Sequence, residues 1–420
     1  MKFRTKLLLD RTLAHPFALL LNCIVWPLGK VLHRSHRAAV HDVKTIVCAK
    51  IVGIGSIVRA TPMIRALKDR YPTAKIVFVT SHKNKVLINH LTCFDQVLYI
   101  WDDSAFALLT STIATVIRLW KLRPDLFFDL EVYSAFSTIL ATASLARNRY
   151  GFYRTSTRFR LGLHTHLVYF NDSKPISEIY LSLAAACGAV SSDIRLEPLV
   201  ISCDTTSRFA SFLKQHNVTS EPLFVINPNA SDLMYERRWP LEYFAAVMDA
   251  LAHQAVRMFI VGSSDERKYT DDLFARLSDN ARNITINTAG DLPFGQVLCL
   301  LQQASCFLTN DSGLFHVALS LNTPTVSLWG PGNVTHYAVY PYGNHTAINN
   351  PAIYCSPCLY RVEFPPCKGN NQCMKSISPR QVYGSVCEFL KISPDDKNTS
   401  QFDRIYTEID ERHIDITVHR

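Results

Sequence analysis

Three loops place small, polar and cationic residues where an apolar run gives way to a helical pattern. The first is VGIGS, residues 52–56, in which Gly53 and Gly55 permit a tight turn and close backbone approach. The N–H groups that open the following helix can hold an anion. The second is NPNASDLMYERRWP, residues 227–240, with Asn229 at the strand end and Arg237 and Arg238 just before Trp239-Pro240. Guanidinium groups in such a place can clamp a diphosphate through bidentate, charge-assisted bonds. Surface arginines beside a packing Trp give the same pattern. The third is TNDSGLFHVALSLNTPTVSLWGPGN, residues 309–333. There Asp311, Ser312 and Gly313 turn N–H groups toward a phosphate or ribose, and Asp311 can instead cap the helix. His316 follows one turn later, and Gly330 opens a second glycine loop. A fourth element, GSSDE at 262–266, offers Glu266 to a ribose or base.

A separate cluster is Cys355, Cys358, Cys367 and Cys373. Four thiols beginning with a CxxC pair could form a tetrahedral site for structural zinc, with free thiols and disulfides as the alternatives. The other eight of the twelve cysteines lie in apolar or mixed segments and read as small buried hydrophobes.

The order GxGSxxxATPxIRALKxRYP, NPNA…RRWP, VGSSDE, NTAG and NDSGLFHVALSLNTPTVSLWGP resembles the family 9 glycosyltransferases, whose best-known members are ADP-heptose:lipopolysaccharide heptosyltransferases. The resemblance covers residues 43–390. It implies a GT-B fold, with two Rossmann-like doubly wound domains facing a central cleft. It also implies a metal-independent inverting transfer that requires no cofactor, and a donor held mainly by the C-terminal domain. Arg237 stands where the family usually has Lys near the donor phosphates, and Glu266 matches an acidic residue near the ribose. Asp311, Gly313 and His316 match the D-[TS]-G-x-x-H motif.

The family's proposed base is an Asp directly after the loop glycine, and here that position is Ser56. A serine hydroxyl lacks useful basicity at neutral pH without a partner. Substitute carboxylates at strand ends are Asp102, Asp103, Asp129 and Glu131, with Asp129 and Glu131 preferred because DLFFDLE ends a central strand. A protein that binds nucleotide or glycan without transferring sugar is the reading from a different class. A transferase with a non-heptose donor is the nearer alternative.

The elements that must position these loops alternate strand and helix. TIVCAKIVGIG is a buried strand, and SIVRATPMIRALKDRYP has helical spacing with Pro62 placed one turn in. AKIVFVT, QVLYI and DLFFDLE are further strands, with helices around 109–119 and 134–146. A second series begins at LFVINPNA. This repetition predicts α/β architecture with parallel sheets covered on both faces, and ligands at the carboxyl ends of the strands. The expected organisation is a membrane-associating segment 1–40, an acceptor domain 41–205, a nucleotide-sugar domain 206–395 with the Cys-rich loop 355–373, and a tail 396–420.

Charge is uneven. The chain carries 44 basic and 35 acidic residues, a net of +9. Residues 1–40 hold Lys2, Arg4, Lys6, Arg11, Lys30, Arg34 and Arg37 against Asp10, leaving only +3 for the remainder. That balance argues against nucleic acid as partner and for an anionic membrane surface. The apolar run Phe17 to Leu28 would rise about 18 Å as a helix, short of a bilayer core of roughly 30 Å. It reads as an interfacial anchor at the cytoplasmic face of the inner membrane, or else as a helix packed on the chain's own core. No later stretch reaches 18 apolar residues, so the bulk of the chain is expected to be cytosolic. Two basic groups suit a glycolipid or lipid-linked acceptor: Lys50, Arg59, His82, Lys83 and Lys85, and then Arg147, Arg149, Arg154, Arg158 and Arg160.

Overall fold

Both halves of the chain fold on one plan. The computed structural model describes residues 3–31, 36, 43–230, 234–362, 365, 367–394, 402–403 and 405–406. Lys2, Arg34 and Arg37 of the basic segment, and most of the tail, lie outside the described residues. The two units are Met1–Pro198 and Leu199–Arg420. The junction precedes the expected position at 205 because the helix Cys203–Gln215, capped by Ser202, packs on the helix Phe294–Gln303 of the second unit.

The first unit has six parallel strands: β1 Thr45–Ala49, β2 Lys75–Ser81, β3 Gln96–Ile100, β4 Leu126–Asp129, β5 Asn148–Tyr153 and β6 His166–Tyr169. Their order is β3-β2-β1-β4-β5-β6. The second unit repeats it with β7 Leu223–Asn227, β8 Arg257–Ile260, β9 Thr285–Asn287, β10 Cys306–Asn310, β11 Thr325–Trp329 and β12 His345–Asn349, ordered β12-β11-β10-β7-β8-β9. Strands β1, β7, β10 and β11 are buried along their whole length, as continuous apolar runs in a doubly covered sheet require. In each unit the chain starts mid-sheet, moves to one edge, and returns to the other side of its first strand. The strand order therefore reverses between β1 and β4, and between β7 and β10. Doubly wound sheets bind ligands at such points.

The helix Ile54–Arg70 begins earlier than expected, so Pro62 lies more than two turns inside it. The carbonyl of Val58, which an N–H at position 62 would have bonded, instead accepts the Thr61 hydroxyl at 2.7 Å. Strands β5, β6 and β12 were not expected from the sequence. β5, NRYGFY, had read only as part of a basic, aromatic stripe.

The N-terminal segment forms two helices, Phe3–Leu9 and His15–Val31, joined by a π-helical turn Asp10–Ala14 that ends two residues before Pro16. The reading of a helix packed on the chain's own core holds in part. One side packs: Ala18, with Ala14, Leu21 and Val25, meets Ala135, Ile139, Phe159 and Leu163. Asp10 caps the helix Ala135–Ala143 by accepting the N–H groups of Ala135 and Phe136 at 3.0 and 2.8 Å. The opposite side stays exposed. Thr5–Val31 and Ala105–Leu122 are both long and apolar enough to cross a membrane by length and composition. The second passes despite its interspersed Thr and Ser, which had hidden it as an apolar run.

Candidate functional site

In the second unit the predicted donor residues collect at the carboxyl ends of β7, β8 and β10. Arg237 is buried, and its Nη1 donates to the Asp311 carbonyl at 2.9 Å while lying 3.7 Å from the Asp311 carboxylate. The bond joins the loop after β7 to the loop after β10, across the strand-order reversal. Asn227 Nδ2 reaches Thr309 Oγ1 and Ser312 Oγ, each at 3.3 Å. Asn229 Nδ2 donates to Asn227 Oδ1 at 3.2 Å, and its own Oδ1 is a buried atom lacking a hydrogen-bond partner among the described residues. Asp311 Oδ2 is likewise buried with no hydrogen bond among the described residues. Two such acceptors at a strand-end loop can take the hydroxyl or N–H groups of a ligand.

Ser312 is the N-cap residue of the helix Gly313–Ser320 and places that helix start beside Arg237. Arg237 and the 312–313 amides are therefore neighbours on one ledge. Glu266 Oε2 accepts from Ser263 N and Oγ at 2.8 and 3.0 Å, which fixes it over Gly262. A Cβ at Gly262 would stand 2.8 Å from Asn229 Nδ2 and 3.4 Å from Glu266 Oε2, so the glycine is what lets these two side chains converge.

Three predicted residues have packing roles. Arg238 lies between the rings of Tyr235 and Tyr269, 4.7 and 4.1 Å from their centroids. His316 is buried, with Nδ1 2.9 Å from the Tyr340 hydroxyl in a cluster that includes Phe315. Gly330 lies under Cys373 and Met374, where a side chain would collide with both. Sequence reasoning missed Asn310, which donates to Pro228 O at 2.8 Å and accepts from Trp239 N at 3.1 Å. A polar residue ending the apolar run CFLTN was the available signal. Gly332 was missed too: a Cβ there would overlap the Asp311 carboxylate.

At the reversal point of the first unit, Gly53 has φ +92° and opens the helix Ile54–Arg70. Ser56 Oγ accepts from Arg59 Nη2 at 2.8 Å. The two carboxylates offered as substitutes for a base have different surroundings. Asp129 is sealed in the core, 3.2 Å from His164 Nε2 and 3.4 Å from Arg160 Nη2, with Thr138 Oγ1 also at 3.2 Å. Burial alone would raise its carboxyl, but Arg160 and His164 outweigh that and hold it below the usual carboxylate range. A group with no solvent-accessible side chain cannot meet an acceptor hydroxyl. Glu131 is half-buried at the loop: Oε1 accepts from Ile51 N and Val52 N at 2.8 and 3.0 Å, and Oε2 from Lys50 Nζ at 2.6 Å.

The sequence profile of glycosyltransferase family 9 (heptosyltransferase) matches residues 131–367, more than half of the chain. The chain belongs to that family. It is 30% identical over 120 residues to lipopolysaccharide heptosyltransferase 2 of Escherichia coli (strain K12), covering 28% of this chain and 34% of that protein. It thus spans about a third of the length of the curated relatives it first matches. The solved structure of E. coli ADP-heptose lps heptosyltransferase II superposes with a TM-score of 0.67 at 20% identity, covering 83% of this chain and 98% of that one. The glycosyl transferase family 9 structure from Veillonella parvula DSM 2008 gives 0.68 at 19% identity with the same coverage. At these identities the likeness establishes the fold, two Rossmann-like units of the GT-B class.

The basic groups offered to an acceptor divide. Lys83 and Arg158 are exposed, and Arg154 lies 3.5 Å from Asp172, with its guanidinium near Tyr133 and Phe170. Arg160 is a correction, because it is fully buried and donates to Glu131 O at 2.6 Å and Phe152 O at 3.2 Å. Arg149 is spent on Leu163 O and Ala146 O, both at 2.8 Å.

The four clustered cysteines share one loop as free thiols. Burial and the neighbouring thiols push Cys358 up to about 11 and Cys373 up to about 12. Among the described residues, the group of three or more ligand types whose donor atoms lie within 4.8 Å of one another is instead His82, Asp102 and Asp103. There the Lys6 ammonium already pairs with the Asp102 carboxylate, placing a cation where a metal would sit.

Proposed function

We propose that this protein is an inverting, metal-independent glycosyltransferase that moves a sugar from a nucleotide-diphosphate donor to the lipopolysaccharide core or a lipid-linked glycan. Heptose carried on ADP is the first candidate donor, and the cytoplasmic face of the inner membrane is the place of work. The observation that carries this reading is the ledge formed by Arg237, Ser312 and Gly313 at the β7/β10 reversal, with the orphaned acceptors of Asn229 and Asp311 beside it.

On that ledge the diphosphate lies against the start of the helix Gly313–Ser320, whose amides favour negative charge. Arg237 meets the charge that grows on the departing diphosphate as the sugar's anomeric C–O bond breaks. Glu266, held by Ser263, accepts hydrogen bonds from ribose hydroxyls. The acceptor oxygen attacks the anomeric carbon from the opposite face, forming the new C–O bond with inversion, and its proton passes to a carboxylate. Glu131 takes that role here, because solvent reaches it and Asp129 is closed off.

The position of Ser56 favours a second reading, a family member that binds donor or glycan without transfer. Purified protein incubated with ADP-heptose and a deacylated core acceptor separates the two by mass spectrometry of the glycan. Product or slow donor hydrolysis supports the transferase. Tight donor binding with neither product nor hydrolysis, across several nucleotide sugars, overturns it.

For the loop 355–373 we propose structural zinc held by Cys355, Cys358, Cys367 and Cys373, a donor set suited to that ion. The loop rests on the glycine loop, with Ser356 Oγ donating to Gly330 O at 2.6 Å and Cys358 N to Pro331 O at 3.1 Å. Its task in this reading is to brace Gly330 and Pro331.

A further inference from the structure

The helix Ala105–Leu122 carries a file of large apolar side chains that the fold leaves outside. Phe106, Leu109, Ile113, Ile117 and Trp120 are all exposed, Phe106 by 76%. Their spacing of three, four, four and three residues confines them to an arc of about 80° on the helix surface. The residues that hold this helix to the sheet are others, including the buried Thr115 and Leu119. An amphipathic helix normally turns such a stripe inward, so the outward stripe is fitted to an apolar partner.

The N-terminal helix shows what that partner is. Two sets of contacts bring the N-terminal segment near the 105–122 helix. At one end Lys6 pairs with Asp102, two residues before the Ser104 cap of the 105–122 helix. Beyond the end of the N-terminal helix at Val31, His36 Nδ1 lies 2.8 Å from Arg147 O, while Trp120 Nε1 donates to Ala143 O at 2.7 Å. Between the two lies the small-residue helix Ala135–Ala143, which touches both. The two helices that touch Ala135–Ala143 both expose apolar side chains, Leu13, Phe17, Leu20 and Ile24 on one and the file above on the other.

Charge completes the face at one end. Arg123 and Arg147 are exposed there and line a cavity of about 560 Å³ together with Trp120, Leu145 and Asp125, whose carboxylate already accepts the N–H groups of Lys44 and Thr45, and Arg118 and Lys121 are exposed on the same helix. Aliphatic and aromatic side chains ending in a fringe of Trp, Lys and Arg match the layering of acyl chains under anionic headgroups.

We infer that the first unit docks on an anionic bilayer through this two-helix face, with the 105–122 stripe immersed at the level of the acyl chains and Arg123 and Arg147 at lipid phosphates. The inference rests on the proposal of a membrane-borne acceptor and adds to it a docking element outside the N-terminal segment. The face commits the enzyme to a monotopic pose, in which neither helix needs to cross the membrane.

Flotation of the full-length protein with phosphatidylcholine vesicles, with or without phosphatidylglycerol, tests this. Wild type is expected to float with the anionic vesicles. Ile113→Asn/Ile117→Asn should cut that partition by about tenfold, the loss of two buried aliphatic side chains. Ile113→Val/Ile117→Val should restore it, and Arg123→Gln/Arg147→Gln should remove the preference for phosphatidylglycerol. Flotation of the Asn variant equal to wild type overturns the proposal and leaves the N-terminal helix as sole anchor. Failure of wild type to float, with a dimer in light scattering that the Asn variant abolishes, overturns it in favour of a second copy of the chain. Calorimetric donor binding on the same samples reads the transferase proposal separately, because the stripe lies outside the donor ledge.

Discussion

The Glu131 carboxylate stands 2.6 Å from the Lys50 ammonium across the β1/β4 reversal, and it also takes the N–H groups of Ile51 and Val52. One side chain from the end of β4 thereby fixes the backbone that leads into the Gly53 turn. As base, Glu131 must accept a proton while it holds this loop. Glu131→Gln separates the two tasks, because an amide oxygen still accepts from both backbone N–H groups. The expected result is a fall in kcat of about 10²- to 10⁴-fold with KM little changed. Glu131→Ala should in addition lower the melting temperature. Should the Gln enzyme keep its kcat and only the Ala enzyme fail, Glu131 is a positioning residue and the base lies elsewhere.

Arg237 and Arg238 should part company under substitution. Arg237→Ala removes a charged donor at the ledge and should weaken binding of the nucleoside diphosphate by about one to two orders of magnitude, since a charge-assisted bond is worth roughly 1.5–3 kcal/mol. Arg237→Lys should lose less, keeping the charge without the planar fork. Arg238→Ala leaves Tyr235 and Tyr269 without the guanidinium stacked between them, so its effect should appear in thermal stability, about 1 kcal/mol. Calorimetric titration at fixed salt, paired with melting curves, reads both. Unchanged affinity in Arg237→Ala ends the phosphate assignment.

Two glycines give a sharper check of the donor ledge. At Gly262 an added methyl meets Asn229 and Glu266, and at Gly332 it meets the Asp311 carboxylate. Asn229 and Asp311 are buried, so neither can swing aside freely. Gly262→Ala and Gly332→Ala should each reduce donor affinity about tenfold, within the 1–3 kcal/mol typical of overpacking. Exposed Gly343, with nothing near its would-be Cβ, serves as the comparison site for loop effects, although its own φ of +81° makes alanine strained there. If Gly262→Ala binds donor as wild type does, the ribose site is not between Asn229 and Glu266.

How much of this was legible beforehand follows from the range of the interactions concerned. Strands β1, β7 and β10 showed themselves as unbroken apolar runs ending in glycine or asparagine, because burial on both faces is written locally. Arg160 was misread as surface charge since its burial depends on Asp129, thirty-one residues earlier, and on the carbonyls of Glu131, Ser134 and Phe152. β5 escaped for the same reason: Arg149 looks solvated until Thr165 Oγ1 is seen to accept its backbone N–H and Leu163 O its guanidinium, and Asn148 until its N–H is seen to reach Asp125 O. The 105–122 helix was recognised as a helix, but only the fold shows which of its faces is turned out. Pro62 looked like a helix-start residue because Thr61's compensation of the Val58 carbonyl is a side-chain event that propensity does not register.

The sealed Asp129–His164 pair predicts how stability varies with pH. Burial lowers His164 below its ordinary value of 6.5, and that effect exceeds the opposing pull of Asp129. The unfolded chain therefore binds a proton below about pH 6.5 that the folded site refuses, and stability falls as pH drops through that region, by up to 1.4 kcal/mol per unit. Asp129, lowered in the folded state, adds stability above its unfolded value of 3.8 that is lost as pH falls further. Denaturant midpoints at pH 7.5, 6.5 and 5.5 check the upper window. His164→Gln should be less stable at pH 7.5 yet show a flatter slope toward 5.5. An identical slope would assign the acid sensitivity to other groups. Gly151→Ala provides a second route to the same pocket, because a methyl there would lie 2.6 Å from the His164 ring.

The last prediction concerns the loop 355–373. The thiols of Cys358 and Cys373 are pushed up, first by burial and then by neighbouring thiols, an arrangement that opposes thiolate there until a cation is present. Zinc bound there would deprotonate them and draw the four sulfurs into a tetrahedron, tightening a loop that already hydrogen-bonds Gly330 and Pro331. Asn371 Nδ2 also donates to Arg238 O at 3.0 Å, so the same loop touches the backbone next to Arg237. Protein purified without chelator is expected to carry about one zinc per chain, as the four-thiolate set dictates. Removing it should lower the melting temperature and weaken donor binding together, because Gly330 and the Arg237 ledge share this support. Cys373→Ser should reproduce both effects, whereas Cys203→Ser, on an exposed helix, should produce neither. A metal-free preparation with four thiols open to titration, the same melting temperature and undiminished donor affinity would show that the hydrogen bonds alone hold the loop.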